Sequence, residues 1–244
     1  MNVYLNAVTG IDDAIVSMFM SHRSWTRELE QHIYEVCERV LNHNGSLREY
    51  DENLRGDFEE FHDWLTKLIK WGWKHTTMLR FIDFTITVEG LHRAGQDDWD
   101  AHTKRFDNRI IRNSTRTKFS DFQYEMSAYY QEKVLPTDLA AQMLNISLPE
   151  TMDYNGKTYV KTINGYILEE YKDNPDVKRG LYMLSIPSNF IFKVNLTEWA
   201  HVYKLRNSKG TANPEVCQCC EMIADQLEQF HKEFNRELFE KILN

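Results

Sequence analysis

Apolar residues recur near helical spacing through residues 12–43, where Ile15, Met18, Phe19, Leu29, Ile33, Val36, Cys37 and Val40 mark an inward stripe. A second stripe (Phe58, Phe61, Leu65, Leu68) predicts a helix over 57–71, with Gly72 as its stop signal. The period then changes. Between 82 and 89, Ile82, Phe84, Ile86 and Val88 alternate with Asp83, Thr85, Thr87 and Glu89, the pattern of a half-buried strand that Gly90 ends.

Further along, Asn155-Gly156 between Tyr154 and Tyr159 predicts a short hairpin, an insertion near 150–165. Residues 189–194 read as another strand. Asn195 follows as a helix cap, with Glu198 at the capping-box position. A last helix starts at Asn213-Pro214-Glu215, with proline at its first position. Val216, Ile223, Leu227, Phe230, Phe234 and Leu238 line it, and are read as core, with an oligomer interface as the other option. Helices outnumber strands, and no repeat or linker divides the chain. The expectation is one α+β domain over 1–244, with a small central antiparallel or mixed sheet flanked by long helices.

Composition narrows the function classes. Hydrophobic residues make up 42% and aromatics 13%, enough for a packed core. A formal charge of −8 argues against a general nucleic-acid surface, but leaves room for a local phosphate pocket. No stretch approaches the roughly 20 apolar residues that span a bilayer. Asp12 and Asp13 precede the apolar run 15–20 where a signal peptide would carry positive charge, so a cytoplasmic protein is expected. Cys217, Cys219 and Cys220 lack a second ligand pair at zinc spacing; they are read as buried free thiols, with no metal. On a helix, Cys217 and Cys220 would share a face and Cys219 would point elsewhere.

Candidate chemistry concentrates between Leu91 and Arg116. Arg105, Arg109, Arg112 and Arg116 are spaced four, three and four apart, so a helix would set all four guanidinium groups on one stripe. Such a stripe suits an anion, because a guanidinium fork matches phosphate geometry. The competing reading is a solvated face paired with Asp97, Asp98, Asp100 and Asp107. His75-Thr76-Thr77 is placed in a loop between the second helix and the first strand, as a ligand contact or a simple turn. No Gly-rich phosphate loop, catalytic serine order or paired metal motif appears.

Arg179 precedes Leu184 and the strand Phe190-Ile-Phe192, Asn195 stands sixteen residues on, and Trp199, His201, Leu205 and Arg206 fill the next helix. In this order the C-terminal part resembles the flavin-dependent thymidylate synthases. Ala212-Asn213-Pro214-Glu215 is similar to the family's Ala-Gln-x-Glu. His75-Thr76-Thr77, followed by Phe84-Thr85, resembles the family's Gly-His-x-Ser/Thr segment, although Arg80-Phe81 replaces its Glu-His. Gly90-Leu-His-Arg-Ala94 resembles the Gly-x-x-Arg-Ala that leads into the family signature. Of that signature, Arg-His-Arg-x-x-Ser-x-x-x-x-Ser-x-Arg, Ser114-Thr115-Arg116 matches the close. Its opening falls on Lys104-Arg105-Phe106 or Ala101-His102-Thr103, and neither restores Arg-His-Arg. The resemblance covers roughly residues 75–116 and 177–225.

The resemblance implies an FAD enzyme that transfers a one-carbon unit from methylenetetrahydrofolate to dUMP, with NADPH reducing the flavin. It implies that Ser114, Arg116, Arg179 and Arg206 hold dUMP, and that Arg206 stabilises negative charge on the pyrimidine. His75, Thr77, Asn195 and His201 would touch FAD, with Arg105 or Arg109 at its phosphates. A homotetramer is implied as well, with sites built from several chains. The altered signature leaves two alternatives: a related flavoenzyme acting on another pyrimidine nucleotide, and a non-catalytic nucleotide-binding relic.

Overall fold

The computed structural model describes residues 1–101, 108–112, 127–131, 137–162, 165–174, 186–207 and 212–242. In chain order its first half contains β1 (Asn2–Thr9), α1 (Ile11–Ser21), α2 (Arg27–Val40), α3 (Arg55–Gly72), α4 (Thr76–Leu79), β2 (Asp83–His92), α5 (Arg93–Ala101) and β3 (Asn108–Arg112). Then come α6 (Ala128–Gln131), α7 (Thr137–Met143), β4 (Thr151–Tyr154), β5 (Lys157–Thr162), β6 (Gly165–Leu168) and β7 (Pro187–Asn195). The last three helices are α8 (Leu196–Arg206), α9 (Pro214–Phe230) and α10 (Arg236–Lys241). One sheet has the order β1-β2-β7-β3 and a second the order β4-β5-β6. The fold class is α+β. Two compact units are present: Asn2–Val88, Asp98–Ile111 and Ile191–Asn244 form the larger, and Met1, Glu89–Asp97 and Arg112–Phe190 the smaller.

In the larger unit, α1 packs on α2, α3 and α4, and α8 packs on α4, α9 and α10. The stretch expected to be helical over 12–43 is two helices. The break follows from Thr26, whose extended backbone and side-chain oxygen cap α2 by accepting from the Leu29 N–H at 3.1 Å. α3 matches its expected stripe, burying Phe58, Phe61, Leu65 and Leu68. Gly72 is the last residue of α3 but makes no left-handed turn; glycine is needed there because a Cβ would lie 2.5 Å from the buried Leu79 side chain. β1 escapes the sequence reading because two of its eight residues, Val3 and Val8, are buried, too few to set a period. In β2 the alternation holds, with Phe84, Ile86 and Val88 fully buried.

The core joins the aromatic rings of Trp99, Phe192, Trp199, Tyr203 and Phe239, with neighbouring centroids 5.3–6.2 Å apart. Asn213 caps α9 by accepting from the Glu215 N–H at 3.0 Å, and Pro214 opens the helix, as expected. Of the expected apolar stripe, Val216, Ile223, Leu227, Phe234 and Leu238 are core while Phe230 is half-exposed, and the stripe does not lie on one helix. α9 stops at Phe230, His231 turns to extended backbone, and Phe234 and the α10 residue Leu238 reach the interior separately. Cys219 does not point away from the core: α9 buries a face wide enough to take both Cys219 and Cys220, leaving Cys217 half-exposed. Burial pushes the thiols of Cys219 and Cys220 up, and that of Cys37 to about 12. Among the described residues, no three His, Cys, Asp or Glu side chains form a metal-ligand set, and no helix is long and apolar enough to cross a membrane.

In the smaller unit, Asn155 (φ 50°) and Gly156 (φ 72°) form the expected tight turn between β4 and β5, with Tyr154 opposite Lys157. The hairpin continues into a third antiparallel strand, β6, with Tyr159 opposite Leu168. Gly90 does not end β2. It takes φ 82° inside the strand and donates its N–H to Asn189 Oδ1 at 3.1 Å, and the strand runs on to His92.

Candidate functional site

α8 carries candidates at both ends and in the middle. At its N-terminus Asn195, 5% exposed, accepts the Glu198 N–H at 2.9 Å and the Thr197 hydroxyl at 2.6 Å through Oδ1. The cap read from the sequence is therefore formed, and it fixes the side chain. No bond from Nδ2 is made among the described residues, so its two donors have no protein partner there. The Leu196 N–H reaches the Ile82 carbonyl at 2.8 Å, which ties this end of α8 to the segment leaving α4.

That tie brings the His75–Thr77 segment close. The segment is not a loop: residues 76–79 make one helical turn, α4, with His75 at its N-cap. The turn forms because Met78 and Leu79 bury themselves, 6% and 0% exposed, while His75 and Thr77 stay on the outside. His75, Thr77 and the half-buried His201 make no side-chain hydrogen bond among the described residues. Two packed helices thus offer polar groups without internal partners, which suits the heteroatom edge of a large planar cofactor. On these grounds the residues present fit a flavin.

Arg206 lies in the last turn of α8, roughly 16 Å from Asn195 by helical rise. It is half-buried, and its Nη2 donates to the Asp98 carbonyl of α5. Among the described residues no carboxylate pairs with it, so most of its fork is uncommitted. Sequence reading missed what steadies this turn. The Cys217 thiol donates to the Arg206 carbonyl at 3.0 Å, and Tyr203 and Asn207 both donate to Glu221 Oε1, at 3.0 and 2.5 Å. A carboxylate facing a helix C-terminus runs against the helix dipole, so no capping rule would have pointed to it.

The arginine stripe does not form as a helix. Arg109 and Arg112 lie in β3, whose period of two does not keep residues three apart on one face. In the smaller unit, Arg112 pairs with Asp97 at 2.7 Å and Arg93 reaches the same carboxylate at 3.5 Å. For Arg112 the acid-paired reading therefore holds. Arg105, Ser114, Arg116 and Arg179 lie outside the described residues, as does the Arg109 side chain.

A family model described as thymidylate synthase complementing protein (Thy1) matches residues 24–231. Two solved structures share the fold. Thymidylate synthase X (ThyX) from Helicobacter pylori with FAD and dUMP is 13% identical at a TM-score of 0.55, over 98% of this chain and 100% of that one. A second flavin-dependent thymidylate synthase ThyX from Helicobacter pylori, also complexed with FAD and dUMP, gives the same identity and TM-score over 98% of this chain and 99% of that one. No curated protein matches the sequence.

Proposed function

Because the chain belongs to the thymidylate synthase complementing proteins, the flavin-dependent thymidylate synthases, we propose that it is an FAD-dependent methyltransferase. It moves a one-carbon unit from methylenetetrahydrofolate to dUMP, with NADPH as reductant. The family match over most of the chain carries this reading, and the uncommitted polar groups on α4 and α8 support it. A bound FAD would supply the redox and carbon-transfer chemistry that no side chain here provides.

In this reading His75, Thr77, Asn195 and His201 hold FAD, and Arg105 or Arg109 meets its phosphates. Ser114, Arg116, Arg179 and Arg206 hold dUMP. Arg206 offers fixed donors where negative charge gathers on the pyrimidine, an interaction worth most where water is excluded. The working form is a cytoplasmic homotetramer. The test is a purified protein that is yellow, releases flavin on denaturation, and converts dUMP to dTMP only with NADPH and methylenetetrahydrofolate present. Colourless protein that binds no added FAD would overturn it.

A second reading, the same flavin scaffold acting on another pyrimidine nucleotide, is favoured by one observation. Neither Lys104-Arg105-Phe106 nor Ala101-His102-Thr103 restores the family's Arg-His-Arg. Flavin-loaded protein that fails to complement a thymidine-requiring host would select this reading over the first.

A further inference from the structure

The backbone around Arg206 is tied on three sides to α9. Tyr203, three residues before it, and Asn207, just after it, donate to the same carboxylate oxygen of Glu221. One turn earlier on α9, the Cys217 thiol holds the Arg206 carbonyl itself. The other Glu221 oxygen is taken by Arg236, whose Nε and Nη2 lie 2.9 and 2.8 Å away. Arg236 also meets Asp225 at 2.5 Å and Glu228 at 3.0 Å.

Two facts require explanation. An anion at a helix C-terminus costs stability unless a cation compensates, yet this one is kept. Arg206 also sits one residue from a Glu221 donor, yet its guanidinium turns to the Asp98 carbonyl rather than to that carboxylate. Arg236 accounts for both. It neutralises Glu221 and occupies the oxygen that Arg206 could otherwise claim, so Glu221 grips the turn without capturing the arginine.

We infer that Glu221, anchored by Arg236, is a positioning residue that locks the last turn of α8 and aims Arg206 at the nucleotide. The inference rests on reading Arg206 as a nucleotide ligand. A site of this kind must hold its contacting groups within about 0.5 Å of the productive geometry. Removing one or two of the hydrogen bonds that fix the last helical turn works against that tolerance.

The test is calorimetric titration of dUMP into full-length variants. Glu221→Gln, whose single carbonyl oxygen cannot serve both Arg236 and the two donors beside Arg206, should weaken dUMP binding about tenfold to a hundredfold, with FAD content unchanged. Tyr203→Phe, which removes one hydroxyl and keeps the ring, should weaken it by a smaller factor and serves where Glu221→Gln does not fold. The paired change Asp225→Asn with Glu228→Gln strips the other two partners of Arg236 without touching α8. It should lower the melting temperature and leave dUMP affinity as it was. Normal dUMP binding by Glu221→Gln or, failing its folding, by Tyr203→Phe, beside defective Arg206→Ala, overturns the positioning role alone. Equal weakening by the Asp225/Glu228 pair overturns it too, since general loosening would then suffice. Normal binding by Arg206→Ala removes Arg206 from the site and takes this inference with it.

Discussion

A guanidinium holds five N–H groups in a rigid plane, and Arg206 commits one nitrogen to the Asp98 carbonyl. Lysine keeps the charge but cannot hold that carbonyl and a planar pyrimidine edge together. Arg206→Ala and Arg206→Lys should therefore both lose dUMP binding and turnover, with FAD content little changed and stability altered by under about 1 kcal/mol. Titrating dUMP while following flavin absorbance checks this, and normal affinity in both would move the nucleotide elsewhere. A second residue-scale prediction concerns Gly72, where an added Cβ would meet Leu79 at 2.5 Å. Gly72→Ala should cost about 1–3 kcal/mol through overpacking, partly offset by the helix preference of alanine. It should also weaken FAD, because Leu79 belongs to the turn carrying Thr77. A higher melting temperature with normal flavin content would mean that Leu79 repacks freely. At this scale the sequence was legible where partners are local. The Asn195 cap needs the amide three residues on, whereas the partner of Arg206 lies 108 residues away and no local pattern carries it.

The end of α9 shows how an element boundary becomes sensitive to pH. The Glu233 N–H donates to His231 Nδ1 at 3.2 Å, so the proton of neutral His231 sits on Nε2 and is donated to His62 Nδ1 at 3.1 Å. Burial, then repulsion from His62 and Lys232, lowers His231 to about 4; burial, then Lys232, also lowers His62. The unfolded imidazole keeps its ordinary value near 6.5. Between about 6.5 and 4 the unfolded chain binds the proton and the folded chain does not. The contribution is therefore complete above about 6.5 and lost as pH falls towards 4, on the order of 3 kcal/mol over the window. The melting temperature should drop on going from pH 7 to 5, and His231→Leu should flatten that drop. Parallel curves for the two proteins would mean that protonation of His231 is not what makes the fold acid-sensitive in this window. The helix itself was legible from Asn213-Pro214, but its end was not, because the apolar stripe continues through Phe234 and Leu238 after the helix has stopped. β1 was invisible for the opposite reason: an edge strand with two buried residues has no period to read.

For the molecule as a whole, the open question is how many chains make a site. His75 and Thr77 lie on the outside of α4 with no side-chain partner among the described residues, so a flavin held there as proposed would be open on that side unless a further group covers it. Tyr4, Ile111 and Ile191 stand 47%, 74% and 40% exposed on three strands of one sheet, apolar surface that a neighbouring chain would cover. Shared sites couple assembly to cofactor binding, because a ligand held by the oligomer alone stabilises the oligomer by mass action. The expected mass by light scattering at micromolar concentration is four times the single-chain 29.1 kDa. Dilution that breaks the tetramer should release FAD in step, and added FAD should shift the dissociation to lower protein concentration. Both curves are measurable on one dilution series, mass by scattering and bound flavin by fluorescence quenching. A 29.1 kDa species that keeps its flavin at every dilution would mean that one chain builds the whole site. His75, Thr77, Asn195 and His201 would then have to close around FAD unaided, and the exposed strand residues would need another explanation.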